Sequence, residues 1–326
     1  MVYTLSLNSS IDYTFYLARI IYDDINRIEE SRVDAGGKGL NVARMLTILG
    51  CDCQALAFLG GTNGNTLKAL LDVEGVKYRH VDTKGNVRNI FNFFTTGKRS
   101  ALRFNERGPE ISREEKKAFY RLLDGIRFRK GDILSISGSL PPGMERSTYR
   151  QIIQRVRGKG VLTALDADGD VLKEGIMGRP SIIKPNLWEL ERATGTRVTS
   201  FDTLERIFGK ILEKGISIVL LTLGDKGAVL FSGDKFLYAG PPAVKVQSTI
   251  GCGDTFLAGF LSCFSTKQPP EKSLCMAVAC GTAKAMQKGT RMPGMGDVKR
   301  ILPSIKACRI QDCPVSLQKG LLRKAG

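Results

Sequence analysis

The stretch TIGCGDTFLAGFL, Thr249–Leu261, sets a glycine-rich turn directly against an apolar segment with helical spacing. Phe256, Leu257, Phe260 and Leu261 share one face of an α-helical period, so the spacing predicts a buried helix that opens at the turn. A helix mouth leaves backbone N–H groups without intrahelical acceptors. With the positive end of the helix dipole, those donors make an anion site. Asp254 stands in the same first turn. Two readings are open: a plain glycine turn whose carboxylate caps the helix, or a cradle for a phosphoryl group beside a carboxylate that takes a hydroxyl proton.

Outward from this stretch the chain alternates between strands and helices. ISIVLLTLG (Ile216–Gly224) is apolar throughout, as expected of a parallel strand covered on both faces. Before it, TLERIFGKILEKG carries apolar residues at core spacing, Leu204, Ile207, Phe208, Ile211 and Leu212. VYTLSL, QALAFLGG, DILSIS, VLTALDA and SIIKPN read as further strands, and Ser112 to Glu115 as a capping box opening a helix. Helices are expected at about Glu271–Lys288 and Asp297–Lys306, and a hairpin in AVLFSGDKFLYA with Gly233 and Asp234 at its tip. The alternation predicts an α/β fold with a doubly wound, mainly parallel sheet. Early in the chain Asp12–Ile21, Asn26–Ser31 and two β-rich runs around Gly97-Lys98 interrupt it, predicting a small sheet of their own.

Open α/β sheets bind ligands beyond the carboxyl ends of their strands, and most candidate residues lie at such junctions. AGGKGLNVARMLTILG repeats the glycine-turn-into-helix theme, with Gly37 and Lys38 in the turn and Asn41 in the first helical turn. Lys38 can meet a phosphate as a point charge, and Asn41 can donate and accept toward sugar hydroxyls. Asp12 reads as a solvated turn carboxylate or as an acceptor of paired hydroxyls. Arg88 and Arg103, at the two β-rich runs, are surface charges singly, or a fork onto one phosphate together. Asn186 and Glu189, one helical turn apart, are a structural pair or anchors for magnesium or water. Ser137 opens the loop SGSLPPG at a strand end, and Gly224 and Gly227 bracket a turn after another.

Composition excludes other classes. The chain of 326 residues is 42% hydrophobic and 25% charged, values of a globular protein. No apolar run reaches membrane-spanning length, and the N-terminal run lacks the features of a signal peptide, so a cytoplasmic protein is expected. Eight cysteines without a CxxC pair and a single histidine, His80, offer no zinc spacing; His80 reads as a surface residue before a strand. The formal charge of +17 is spread among acids, as in SREEKKAFYRLLDGIRFRK, without a basic, aromatic-interleaved helix. That pattern argues against nucleic acid and is compatible with a polyanionic small substrate.

NSSID, GGKGLN, SGSLPPG, KPNLWELE, TLGDKG and STIGCGD follow one another across nearly the whole chain, from the first strand to about Gly296. In that order and spacing they resemble the PfkB branch of the ribokinase-like carbohydrate kinases. The resemblance implies a three-layer α/β/α sandwich over residues 1–310, with a small β lid from segments 9–34 and 87–107 that often serves as a homodimer clasp. A basic tail would follow over 311–326. It implies ATP and Mg2+ as cofactors. By matching position, Asp254 is the expected catalytic base and the amides of Gly251, Cys252 and Gly253 the anion hole. Asp12, Gly37, Lys38, Asn41 and Ser137 are expected at the sugar. Lys184, Thr222, Gly224, Gly227 and Gly281 are expected at the nucleotide, with Asn186 and Glu189 organising magnesium through water. Cys252 replaces a usual Ala or Ser, and Ser9 a usual proline.

Within the family, the GGKGLN lysine and GPEIS resemble kinases of sugar phosphates, the 1-phosphofructokinases and tagatose-6-phosphate kinases. SGSLPPG, VQSTIG and KGTRMP are similar to the minor 6-phosphofructokinase. Each reaction yields a ketohexose 1,6-bisphosphate, and Arg88, Arg103 and Lys38 are the expected partners of the phosphate already present. RNIFNFF lacks the lysine that 1-phosphofructokinases often carry after the arginine. A sugar-phosphate sensor without catalysis is the alternative of another class, though binding alone needs no base.

Overall fold

The computed structural model describes residues 1–95, 101–233 and 235–312. After β1 (Val2–Ser6) the chain leaves for β2 (Ser10–Leu17) and β3 (Glu30–Gly36), then returns through α1 (Lys38–Ile48), β4 (Cys53–Gly60), α2 (Gly61–Val73) and β5 (Tyr78–Thr83). A second excursion forms β6 (Arg88–Thr95) and β7 (Ala101–Asn105). A regular alternation follows: α3 (Arg113–Asp124), β8 (Ile133–Ser137), α4 (Thr148–Arg157), β9 (Leu162–Asp166), α5 (Gly169–Met177), β10 (Ile182–Ile183), α6 (Leu187–Thr194), α7 (Phe201–Glu213) and β11 (Ile218–Thr222). The chain ends its described part with β12 (Ala228–Ser232), β13 (Lys235–Ala239), α8 (Cys252–Phe264), α9 (Pro270–Ala285), α10 (Met295–Ile301) and β14 (Ala307–Arg309).

The large sheet has ten strands in the order β14-β13-β12-β11-β10-β9-β8-β1-β4-β5. Pairing is parallel from β11 to β5 and antiparallel from β11 to β14. Strand parity sorts the core onto the two faces. Leu5, Ile136, Leu165 and Val219 pack with Phe119, Ile152 and Phe208 of α3, α4 and α7. Val2, Ile133, Ala164 and Leu220 pack with Met45, Phe260 and Ala277 of α1, α8 and α9. Burial on both faces explains why these strands read as unbroken apolar runs.

The small sheet has the order β3-β2-β6-β7, with β2 and β6 parallel and both outer pairs antiparallel. Its two faces differ because side chains alternate along a strand. One carries Ser10, Asp12, Thr14, Arg88 and Asn92, in register with Gly36, Asp34 and Arg103. The other carries stacked rings, Tyr13 on Phe91 at 5.5 Å and Phe15 on Phe93 at 5.1 Å.

Several sequence expectations need correction. The third lid strand is Glu30–Gly36, not Asn26–Ser31, because the Asn26 carboxamide closes a loop by pairing with both backbone groups of Ile21 at 2.8 and 2.7 Å. His80 lies inside β5 near Asp82, not ahead of a strand. The helix expected to Lys306 stops at Ile301, as Pro303 lacks the N–H a further turn requires. α8 does not follow a strand: Pro241 and Pro242 end pairing after β13, and the approach to α8 is pinned instead by Gln247 and Ser248 donating to Ala285. The Gly97-Lys98 turn, Asp234 and the tail from Cys313 lie outside the described residues. Among the described residues no helix is long and apolar enough to cross a membrane.

Arg44 of α1 ties the small sheet to the end of α2. With 1% of its surface exposed, its guanidinium donates to the Glu74 carboxylate on α2, to the Ala35 carbonyl of β3 at 2.6 Å and to Asn41 Oδ1 at 3.2 Å. Glu74 is a third exposed, so the cost of losing Arg44 falls on the buried Ala35 carbonyl and Asn41 Oδ1, left without their donor. Arg44→Met is therefore expected to lower unfolding free energy by about 1–3 kcal/mol, read from urea denaturation; a loss under about 0.5 kcal/mol would show that the network is dispensable.

Candidate active site

The mouth of α8 carries the first cluster. Gly251 has φ +79°, a left-handed conformation open to glycine, and turns the chain into the helix. Thr255 is the first residue to donate back in helical fashion, to Gly251. Cys252 N is drawn to the Thr249 carbonyl at 3.3 Å, so its amide is partly spent. Among the described residues, the Gly251, Gly253 and Asp254 amides have no backbone acceptor. Of the expected donors Gly251, Cys252 and Gly253, the first and last keep free amides, and Asp254 N joins them.

Asp254 is buried at this mouth, and its Oδ2 accepts from Asn41 Nδ2 at 2.8 Å. The Arg44 bond to Asn41 Oδ1 fixes which way that carboxamide points. Burial lifts the Asp254 carboxyl above the usual carboxylate range; Lys38 pulls it back, Asp166 pushes the same way as burial, and the net direction is up.

Asp166, which the sequence reading passed over, organises the cleft floor. It ends β9, opposite Ser137 of β8, and is buried between Lys38 Nζ and Lys184 Nζ, each 3.2 Å from one of its oxygens. Burial pushes its carboxyl up, but Lys184 and Lys38 outweigh that and hold it low. Lys38 is in turn raised, chiefly by Asp166. Its side chain keeps 39% exposure and faces the cleft. Lys184 lies under the α8 turn, its Nζ 3.3 Å from where a Cβ on Gly253 would stand. A carboxylate at a strand's carboxyl end is the signal that marks Asp166 in the sequence.

Asp12 and the GGKGLN turn form the lid side. A Cβ on Gly36 would overlap the Asp12 carboxylate, so the glycine permits that approach. Gly37, at φ +103°, enters α1 with Ser6 and Ser9 against it. Ser10 Oγ donates to Asp12 Oδ1 at 2.6 Å. Ser137 is buried at the floor, sharing a hydrogen bond with Ser135. Arg88 shares the lid face of Asp12, but its guanidinium donates to the Asn8 and Glu106 carbonyls. Arg103 is exposed on β7, in register with Asn92.

A cavity of about 700 Å³ opens on the other side of the α8 mouth. Asn186, Thr222, Gly224, Gly227 and Gly281 line it, with Cys252 and Gly253 at its inner end. Pro241, Pro242, Val244 and Val246, not singled out in the sequence, supply an apolar wall. Its size and lining suit a flat aromatic base with a polar tail. Lys184 and Glu189 stand outside this lining. Asn186 and Glu189 cap each other: Asn186 Oδ1 accepts from Glu189 N and Glu189 Oε2 from Asn186 N, both at 2.8 Å. The described residues hold no group of three His, Cys, Asp or Glu placed for a metal.

The pattern of the family described as pfkB family carbohydrate kinase matches residues 5–295. The chain belongs to this family. It is a sugar kinase. A 1-phosphofructokinase of Bacillus subtilis (strain 168) is 31% identical over 310 residues, covering 95% of this chain and 100% of that protein. A tagatose-6-phosphate kinase of Staphylococcus epidermidis is 32% identical over 293 residues, covering 89% of this chain and 94% of that protein. Among solved structures, phosphofructokinase-2 from Escherichia coli in complex with substrates and products superposes with a TM-score of 0.88 at 28% identity, covering 93% of the kinase and 98% of that chain. The ribokinase-like sandwich with its small separate sheet is the architecture seen here.

Burial pushes the Asp12 carboxyl up to about 6 against the opposing Ser10 hydrogen bond. A carboxylate that accepts sugar hydroxyls is weakened by protonation. The ratio of wild-type to Asp12→Asn affinity for a sugar phosphate, in which the substrate's own ionisation cancels, is thus expected to fall as pH drops through about 6. Titration calorimetry between about pH 7.5 and pH 5 checks this; a flat ratio removes Asp12 from sugar recognition.

Proposed function

We propose that the kinase transfers the γ-phosphoryl group of ATP to a ketohexose monophosphate, giving the 1,6-bisphosphate, with fructose 1-phosphate as the preferred acceptor. One observation carries this reading. A buried carboxylate, Asp254, stands one residue beyond Gly253, which lines a nucleotide-sized cavity, and is hydrogen-bonded to Asn41 of the GGKGLN turn. The 31% identity to a 1-phosphofructokinase along the whole of that protein supports the choice of sugar.

ATP enters the cavity with its base between Gly281 and the Pro241-Pro242 wall and its phosphates toward Gly253. The sugar lies under the lid, its hydroxyls on Asp12 and Asn41 and its acceptor hydroxyl at Asp254. Asn41 occupies Asp254 Oδ2, which leaves Oδ1 to take the proton. A raised pKa makes that carboxylate a stronger base than an exposed aspartate. The α8 amides and Lys184 receive charge on the transferring group, while Lys38, Arg103 and the N–H donors that Arg88 keeps beyond its bonds to Asn8 and Glu106 serve the phosphate already on the sugar. Asn186 and Glu189 would hold, through water, a magnesium ion bound with the nucleotide, which would supply neutralisation of phosphate charge. Tagatose 6-phosphate is the second reading, favoured by the 32% identity to a tagatose-6-phosphate kinase.

Asp254→Asn is expected to lower kcat by about two to four orders of magnitude, the scale of general-base catalysis, with sugar binding retained. Coupled ADP-release assays with fructose 1-phosphate, tagatose 6-phosphate and fructose 6-phosphate then rank the acceptors by kcat/KM. Near-wild-type turnover by Asp254→Asn would refute the base, and a ranking led by either 6-phosphate would replace the sugar.

We also propose that the outer lid face joins two copies of the chain. It carries the stacked rings of Tyr13, Phe15, Phe91 and Phe93, with Leu102 43% and Phe104 54% exposed. A contiguous aromatic face of this kind is otherwise left in water. Analytical ultracentrifugation is expected to give a dimer, and Phe93→Glu with Phe104→Glu a monomer; an unchanged species would place the contact elsewhere.

A further inference from the structure

Lys284, near the end of α9, is 1% exposed, and its ammonium has no carboxylate within ion-pairing distance among the described residues. Nζ donates to the Gly289 carbonyl at 2.9 Å. Its Cε lies 3.4 Å from where a Cβ on Gly251 would stand, directly behind the α8 turn. A buried ammonium with one neutral acceptor is expensive, and a methionine would fill the same space without that cost. The charge therefore calls for a use beyond packing.

The segment it holds leads to the lid. Thr290 Oγ1 donates to Asp34 Oδ2 of β3 at 2.7 Å and lies 3.4 Å from Thr14 Oγ1 of β2. Lys288 Nζ meets Glu30 at 2.7 Å and covers the Tyr16 ring. On the other side, the Ala285 carbonyl receives Gln247 N and Ser248 N, at the approach to the α8 turn. Residues 284–290 thus touch both the sheet that covers the sugar pocket and the turn whose amides face the phosphoryl group.

We propose that Lys284 is a positioning residue whose ammonium locks residues 284–290, and through them the lid, in register with the Gly251 turn and sets a fixed positive charge behind its amides. This rests on the reading of that turn as the phosphoryl-receiving site. Cys252 and Asp254 of α8, Asp34 of β3 and Arg44 of α1 are the charged and titratable groups around Nζ. Burial outweighs the acids among them and brings the ammonium down to about 8. The charge is therefore present at neutral pH and lost as pH rises through about 8. Since the folded value lies below that of an unfolded lysine, the charged form costs stability, and a neutral residue should relieve that cost.

The test uses the full chain with MgATP and whichever of the three ketohexose phosphates the wild type turns over fastest. Lys284→Met is expected to lower kcat between about ten- and a hundredfold, the worth of a charge-assisted hydrogen bond, with KM for both substrates changed less than threefold and an equal or higher Tm. Wild-type kcat should fall above about pH 8, and that limb should vanish in Lys284→Met. A variant with wild-type kcat, or one that keeps the alkaline limb, overturns the proposal. If Lys284→Met does not fold, Thr290→Val, which cuts the latch to the lid, decides: a lowered kcat with a displaced alkaline limb supports the coupling, and unchanged kcat and limb refute it. A wild type that phosphorylates none of the three sugars would instead sink the functional reading beneath it.

Discussion

Everything at the cleft depends on keeping one carboxylate buried, ionisable and correctly aimed without a cation in direct contact. Asp254 achieves this with hydrogen bonding and a helix mouth. Its Asn41 partner is oriented by Arg44, and Arg44 is anchored by Glu74 on the next helix. A direct salt bridge would hold the carboxylate too low to accept a proton near neutrality. Burial alone would protonate it and lose the charge. The intermediate solution, an amide donor backed by a charged network, leaves the carboxyl raised but available.

The cations gather one layer away, on Asp166. Parallel pairing brings the carboxyl ends of β8 and β9 side by side, so Ser137 and Asp166 share a floor with Lys184 just beyond β10. Lys38 reaches that floor from the start of α1. Two ammonium groups on one carboxylate leave a surplus positive charge under the cleft, while Asp166 suppresses their mutual repulsion. The two lysines pair with Asp166, and neither forms an ion pair with Asp254 among the described residues.

Much of this was legible from residue order because the local rules point the same way. Buried parallel strands read as apolar runs, the Ser112–Glu115 capping box forms as its spacing requires, and both glycine turns open helices beside each other. Less legible are the passages where side chains act over long distances. Asn186 and Glu189 cap each other, which their spacing allows but does not require. Arg88 donates to main-chain carbonyls of Asn8 and Glu106, far from it in sequence. Asp166 hid in the strand pattern VLTALDA, since nothing local tells that two lysines from other elements converge on it. Lys284 sat inside a small-residue helix, where a single basic residue reads as surface.

The lid shows why register matters more there than hydrophobic pattern alone allows. Its inward residues, Ser10, Asp12 and Thr14, are polar, and its outward ones, Tyr13 and Phe15, are aromatic, so a slip of one residue would exchange recognition for adhesion. The polar face is the more buried of the two, so hydrophobic pattern alone would select the wrong one. Two contacts fix the register. Only glycine at position 36 admits the Asp12 carboxylate, and only the correct register brings Asp34 to Thr290. The second contact comes from the segment that follows α9, whose Ala285 carbonyl also receives Gln247 and Ser248 at the approach to α8. The register of the small sheet and the placement of the α8 turn are in that sense tied through residues 284–290.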